Sequence, residues 1–288
     1  MTLSKNHRIL IVGLGLIGGS YAAALSAQGY TVTAIDRDRA AIDYALQRGF
    51  ITAGADEPSP ALIGCADLVI FALYPRVFLD WIGQHQAHLK SGAILTDVTG
   101  VKGCVVESIQ SILRPDLEFI AAHPMAGREK NGVENSDPTI FQNANYVITP
   151  TEKNTEEAIA LCRDLGKTLG FAHISVLSPA AHDEIIAFVS QLTHCIAVCL
   201  MTCQQTEHLE DYTGDSFRDL TRIARLNDEM WSELFLLNKD ALLTEMRRFE
   251  DEFATLRARL EAGDREGLRE MMRASTARRA LFDKRKEE

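Results

Sequence analysis

The amino-acid sequence predicts an α/β fold: an open parallel sheet wound with helices on both faces, followed by a segment that is all helix. Three observations carry this expectation. Short apolar runs alternate with helical patterns as far as Val176, a glycine-rich turn joins the first run to the first helix, and no strand pattern returns after "LSPAAHDE". Strands that alternate with helices form a parallel sheet covered on both faces. Strands covered on both faces read as near-continuous apolar runs.

The elements follow in chain order. "RILIVGLG" (Arg8–Gly15) is a strand ending in glycines, and Ile17 to about Gln28 is the first helix. "TVTAID" (Thr31–Asp36) is the second strand, and Arg39–Arg48 the second helix. "DLVIFAL" (Asp67–Leu73), "GAILTDV" (Gly92–Val98) and "LEFIAA" (Leu117–Ala122) are further strands separated by helical segments. Asn145–Thr149 is a strand, Thr155–Leu169 an amphipathic helix, and Phe171–Val176 the last strand. Ser178-Pro179 is a helix start, with serine as cap and proline at the first position. From Ala181 onward the chain reads as helix, punctuated at "DYTGDS" (Asp211–Ser216) and "AGD" (Ala262–Asp264), and "RRALFDKRKEE" reads as a fraying helix end.

Composition narrows the function classes. With 288 residues, 46% of them apolar and 24% charged, the chain can bury one large core or two ordinary ones. A net charge of -10 argues against nucleic-acid binding, which needs a basic footprint. It leaves room for an anionic substrate gripped by a local arginine cluster. No apolar run approaches the ~20 residues of a membrane span, and the N-terminus does not read as a signal peptide. The six cysteines form no CxxC pair; Cys195, Cys199 and Cys203 share a helix face and read as reduced packing residues rather than a metal site. A cytoplasmic location is expected, with no metal.

"VGLGLIGG" contains Gly13-x-Gly15-x-x-Gly18, with a strand before it, a helix after it, and Asp36 at the end of the next strand. In that context the pattern is a dinucleotide-binding turn. Gly13 allows the tight turn, Gly15 lets backbone approach a pyrophosphate, and Gly18 lets helix pack on strand. Leu16 and Ile17 supply unpaired N–H groups at the positive end of the helix. Asp36 accepts hydrogen bonds from the ribose hydroxyls and repels a 2′-phosphate, which favours NAD over NADP. Arg37 beside it is a counter-indication, because an arginine there can bind that phosphate. The predicted fold is therefore a Rossmann-type nucleotide-binding domain over residues 1–177. An all-α substrate-binding and dimerisation domain is expected over 178–288. Its long helices have little room for a closed core and are expected to bury apolar faces against a second copy, giving a homodimer.

Ligands in such a sheet lie beyond the carboxyl ends of the strands. His123 follows the run Leu117–Ala122 directly, and Pro124 and Gly127 then read as the turn that leads the chain away. The stretch Asp97–Lys102 faces the same crevice. His123 is either a structural histidine satisfied by backbone or a proton acceptor at the mouth of a site. In the helical part, "HDEIIAFVSQLTH" aligns His182, Asp183, Ser190 and His194 on one helix. His182 and His194 are twelve residues apart, ~18 Å along a helix axis, too far for one substrate atom or a metal pair. "SFRDLTRIAR" places Arg218, Arg222 and Arg225 at i, i+4, i+7. That pattern is either a solvated basic face or an anion clamp, with Asp219 orienting Arg222 for two parallel hydrogen bonds to a carboxylate.

These residues together resemble the prephenate/arogenate dehydrogenases of tyrosine biosynthesis. The resemblance spans nearly the whole chain and rests on the glycine loop, "DVTGVKG", "HPMAGREKNG", "HDEIIAFVSQLTH", "GDSFRDLTRIA" and "MWSELFLLN", in that order. It implies that His123 is the catalytic histidine, and that Arg222 and His194 contact substrate with Trp231 close by. It places Glu129 and Lys130 in a segment bordering the pocket. Gly100 stands where the family has serine, and Thr99 is the candidate to replace that hydroxyl. Gln191 and Thr193 stand where the family commonly has His and Pro. The implied activity is oxidative decarboxylation of prephenate, with hydride transfer to NAD and His123 as general base. The alternatives are arogenate as substrate, a β-hydroxyacid type of dehydrogenase, which usually relies on a lysine in its helical half, and a non-catalytic nicotinamide sensor. A monofunctional enzyme without a mutase or regulatory module is expected.

Overall fold

The structure is a computed structural model that describes residues 2–128 and 130–282. Glu129 and the last six residues of the expected fraying tail, 283–288, lie outside the described residues. The chain divides into two compact units, Met1–Lys239 and Asp240–Glu288, so the boundary expected near Ser178 lies inside the first unit.

The first unit is built on a six-stranded parallel sheet. Its strands are β1 (Arg8–Val12), β2 (Thr31–Ile35), β3 (Ala53–Ala55), β4 (Leu68–Phe71), β5 (Ile94–Asp97) and β6 (Glu118–Phe119), in the order β3-β2-β1-β4-β5-β6. Five of these were legible as apolar runs; β3, "AGA", carries no such signal and is fixed by its pairing to Thr33–Ile35. Successive strand residues point to opposite faces. Ile9 and Ile11 therefore enter one core, with Tyr21 and Leu25 of α1 (Leu16–Ala27), Ile42 of α2 (Arg39–Gln47) and Leu165. Leu10 and Val12 enter the other, with Ile63 of α3 (Pro60–Ile63), Phe78 and Trp81 of α4 (Pro75–His85) and Ile109 of α5 (Gly103–Ile112). The sheet is thus covered on both sides, as the apolar runs predict.

The run Leu117–Ala122 does not behave as one strand. Glu118 and Phe119 pair with β5, and the Ile120 N–H still donates to the Leu95 carbonyl at 2.9 Å. The next ladder position is taken by a side chain, because the Ala122 N–H donates to Asp97 Oδ1 at 3.1 Å. The chain then leaves β5 and continues as β7 (Ala121–Met125), antiparallel to β8 (Asn145–Thr149), which pairs in parallel with β9 (His173–Val176). His123 therefore lies inside a strand, opposite Val147, and Pro124 lies opposite Tyr146 rather than in a turn. Proline is tolerated because β7 is the edge of this three-stranded sheet.

Between β8 and β9 runs α6 (Glu156–Leu169). Thr155 caps it, its hydroxyl accepting from the Ala158 N–H at 3.2 Å, and Gly170 ends it in the left-handed region at φ +87°. Ser178 caps α7 (Pro179–Ile186) in the same way at 3.2 Å. The expected single helix through His194 is interrupted by a π-helical segment, Ala187–Leu192, before α8 (Thr193–Thr202). Such π segments occur often at functional sites. The stretch Pro179–Thr202 is also long and apolar enough to cross a bilayer by length and composition, which corrects the expectation that no run approaches that length. Of an 18-residue apolar window within it, only 28% is buried within the chain. The helix then breaks, and α9 (Asp215–Thr221) ends one residue before Arg222, which opens a 3-10 turn. The continuous arginine face expected over Arg218–Arg225 does not form. After it comes α10 (Asp228–Leu237), capped by Asn227.

The second unit holds most of α11 (Lys239–Glu261) and all of α12 (Arg265–Arg279). The turn between them uses Gly263 at φ +64°, and the Asp264 carboxylate accepts from the Gly267 N–H at 2.9 Å.

Candidate active site

The glycine turn follows β1 as expected. Gly13 has φ +99°, and a Cβ there would lie 2.4 Å from the Ala72 carbonyl oxygen. A Cβ on Gly18 would lie 1.9 Å from the Gly13 carbonyl oxygen, so this glycine sets the approach of α1 to the loop. Gly15 differs. It is exposed between buried neighbours, and a Cβ on it would meet no atom within 4 Å. The fold's own packing does not demand glycine there; a cradle for an approaching phosphate does. Gly15 is also the N-cap of α1, and no side chain caps that helix. The N–H groups of its first turn, at Leu16 and Ile17, have no intrahelical partner and suit an anion. Asp36 stands at the end of β2, half-buried. One of its oxygens accepts from the Leu14 N–H and the other from the Asp38 N–H at 2.8 Å. Each oxygen keeps a lone pair for a sugar hydroxyl. Arg37 is exposed. These residues fit a dinucleotide.

A second cluster forms where β5 ends and β7 begins. Asp97 and Lys102 make an ion pair at 2.6 Å, and the side chains of both are 0% exposed. Asp97 also accepts from the Thr99 N–H at 3.1 Å, from the Thr99 hydroxyl, and from Ala122. Burial pushes the Lys102 ammonium down from its ordinary range, and the Asp97 carboxylate opposes that shift. Thr99 is buried; its hydroxyl lies 2.9 Å from the Val101 carbonyl and accepts from Lys102 Nζ at 3.1 Å. The Thr99 hydroxyl, the candidate to replace the family serine, is engaged inside the ion-pair network. The position of the family serine, Gly100, would place a Cβ in ordinary contact with Leu234 at 3.4 Å.

His123 points from β7 toward α7. Its Nδ1 lies 2.9 Å from His182 Nε2, and His182 Nδ1 lies 2.7 Å from Asp183 Oδ1. Asp183 is held in turn at the start of α5, where its two oxygens accept from the Lys102 N–H at 2.8 Å and the Gly103 N–H at 2.7 Å. His182 is buried and His123 half-buried. Burial lowers the pKa of His123 well below the ordinary histidine value, and the nearby His182 and Lys102 push the same way. Burial also lowers that of His182, against the hydrogen bond to Asp183. Both shifts favour the neutral rings.

Farther along the same helical stretch, His194 Nδ1 donates to the Ser190 carbonyl at 2.8 Å. Its ring lies 3.8 Å from the Trp231 ring, tilted by 33°. Gln191 turns inward: its Nε2 donates to the Leu234 carbonyl at 3.0 Å, and its Oε1 accepts from Asn238 at 2.8 Å. Asn238 also donates to the Asp183 carbonyl at 2.9 Å, tying α10 to α7. Arg222 and Lys130 are exposed, the first in its 3-10 turn and the second in the loop after β7. The structure thus joins His123 to His182, Asp183, Lys102 and Asp97, and pairs His194 with Trp231. The His123–His182 contact was missed by sequence reasoning. Its only signal was the His182-Asp183 dipeptide just inside a capped helix start.

Comparison with known proteins gives the family. The family described as "Prephenate dehydrogenase, nucleotide-binding domain" matches residues 21–175, and "Prephenate dehydrogenase, dimerization domain" matches 178–274. The prephenate dehydrogenase of Bacillus subtilis (strain 168) is 31% identical over 269 residues, 90% of this chain and 72% of that protein. A crystal structure of prephenate dehydrogenase from A. aeolicus in complex with hydroxyphenyl propionate and NAD+ superposes with a TM-score of 0.89 at 29% identity. It covers 98% of this chain and 100% of that one. Synechocystis arogenate dehydrogenase gives 0.82 at 25% identity, over 96% and 99% of the two chains. The chain belongs to the prephenate dehydrogenase family.

Proposed function

We infer that this protein is an NAD-dependent prephenate dehydrogenase that converts prephenate to 4-hydroxyphenylpyruvate and CO2, in the tyrosine branch of aromatic amino acid biosynthesis. The observation that carries the mechanism is the chain Asp183–His182–His123, which holds a neutral imidazole on β7 beside the end of β5.

Gly13, Gly15 and Gly18 shape the loop for the cofactor's pyrophosphate, with the Leu16 and Ile17 N–H groups as donors. Asp36 receives the ribose hydroxyls and disfavours a 2′-phosphate, and Arg37 stands exposed beside that position. Bound NAD supplies the hydride acceptor. His123 takes the proton of the ring hydroxyl as hydride leaves the same carbon. The ring carboxylate then departs as CO2, its bonding electrons complete the aromatic ring, and His123 returns the proton to the phenolic oxygen. No net proton is consumed, so one histidine serves both steps. Arg222 clamps a substrate carboxylate, Lys130 adds positive charge at the rim, and His194 stacked on Trp231 walls the pocket.

We propose a functional division with residues 1–177 for nucleotide and 178–288 for substrate and dimerisation. Ile185, Phe188, Val189 and Met201 leave an apolar surface on α7–α8 that a second copy would cover, giving a homodimer. Six free thiols suit a cytoplasmic enzyme. A second reading, arogenate as substrate, is favoured by the likeness to the Synechocystis enzyme. The two substrates differ in a keto or an ammonium group on the side chain. The test is NADH formation by the purified protein with prephenate and with arogenate, each with NAD and NADP. Prephenate with NAD is expected to give the highest kcat/KM; no reaction with any pair would refute the enzyme reading.

A further inference from the structure

We propose that His182 and Asp183 are positioning residues that hold His123 in the one neutral tautomer whose Nε2 is the free base. The proposal rests on the reading of His123 as general base.

The hydrogen bonds fix the position of each proton in turn. An ionised carboxylate only accepts, so the 2.7 Å contact with Asp183 puts the proton of His182 on its Nδ1. The other nitrogen of that neutral ring, Nε2, then carries a lone pair. It lies 2.9 Å from His123 Nδ1, and one of the two must donate. The donor is therefore His123 Nδ1–H, and His123 Nε2 is left unprotonated. Protonation of His182 would reverse the chain. Its Nε2–H would donate, His123 Nδ1 would accept, and the proton of His123 would move to the nitrogen that has to serve as base.

The surroundings guard against that reversal. The groups facing the two rings are Lys102 and Asp97 from the β5–α5 connection, and Asp183 from α7 itself. The buried Lys102 ammonium works against a second positive charge beside it. Asp183 is fixed by the two backbone N–H groups that open α5 and, through its own carbonyl, by Asn238. Gly103 eases this seat, since a Cβ there would lie tightly, 3.0 Å, against Asp183 Oδ2. Capping of α5 alone would account for Asp183, but not for a ring inserted between it and His123 with both nitrogens engaged.

The test has two arms. In the protein without nucleotide, long-range 15N–1H spectra report which nitrogen of each histidine is protonated. His123 and His182 are both expected as Nδ1–H tautomers at pH 7.5, and an Nε2–H tautomer of His123 would overturn the proposal whatever any variant does. In the second arm, His182→Phe is expected to lower kcat by roughly 10–100-fold with KM and NAD affinity within about twofold, a loss bounded by that of the base itself. The double variant with His123→Asn is expected to lose no more than His123→Asn alone. An unchanged kcat in folded His182→Phe would overturn the positioning role while leaving the general base intact. Normal turnover in His123→Asn would instead remove the reading on which the proposal rests.

Discussion

Replacing Lys102 by methionine removes the cation from a pair in which neither side chain touches solvent. Methionine keeps most of the length and volume, so the effect isolates charge. Asp97 keeps three neutral donors, the Thr99 N–H and hydroxyl and the Ala122 N–H. It loses the ammonium at 2.6 Å. Breaking a buried pair from one side costs about 3–5 kcal/mol, because an uncompensated charge remains inside. The three remaining donors place this case near the lower end, about 3 kcal/mol. For a protein of this size that is a fall in Tm of roughly 5 °C. Urea unfolding at pH 7.5 measures it. The double variant Asp97→Asn, Lys102→Met removes the stranded charge and is expected to recover at least half of the loss, which gives a coupling energy by the usual cycle. Lys102 also helps to keep His123 and His182 neutral, so the single variant is expected to move the acidic limb of the pH–rate profile upward. A loss under about 1 kcal/mol, or a double variant less stable than the single one, would refute the reasoning.

Other expectations follow from the same contacts. His123 and His182 titrate below the ordinary histidine value of about 6.5 in the folded protein, and near it once unfolded. Their contribution to stability is therefore complete above about pH 6.5 and declines as the pH falls below it; equal urea midpoints at pH 7.5 and 5.5 would contradict this. Gly13→Ala is expected to cost more than about 2 kcal/mol, because its Cβ meets the Ala72 carbonyl oxygen and the backbone is left-handed. Gly15→Ala is expected to change Tm little but to weaken NAD binding severalfold, as titration by calorimetry would show; tight NAD binding in that variant would contradict the phosphate cradle. Arg222→Ala is expected to raise KM for prephenate by roughly 30-fold, ~2 kcal/mol, with kcat nearly unchanged, and an unchanged KM in steady-state kinetics would contradict the clamp.

What could be read in the sequence was local. The glycine turn, Asp36 and the cap at Ser178 each depend on a few neighbouring residues, and all formed where the pattern placed them. What could not be read depended on long-range partners. Pro124 resembles a chain breaker, but on an edge strand its missing N–H leaves no bond broken, so β7 runs on to Met125. The split of the Leu117–Ala122 run hinges on one Asp97 oxygen replacing a ladder carbonyl, which no periodicity reveals. The engagement of Thr99 depends on Lys102, which is fully buried and donates to that hydroxyl. His123 and His182 are separated by 59 residues, so their contact exists only once α7 docks on the start of α5. The spacing of His182 and His194 was read on an unbroken helix, and the π segment between them has no signature in composition.

The central claim is that His123 accepts the hydroxyl proton during NAD-dependent oxidation of prephenate. The most direct measurement is the steady-state rate of NADH formation from prephenate by the protein and by His123→Asn, with NAD affinity measured in parallel. The account predicts steady turnover in the first, a kcat lower by roughly 10²–10⁴ in the second, and equal NAD affinity in both. A variant that forms NADH at close to the parent rate would contradict it.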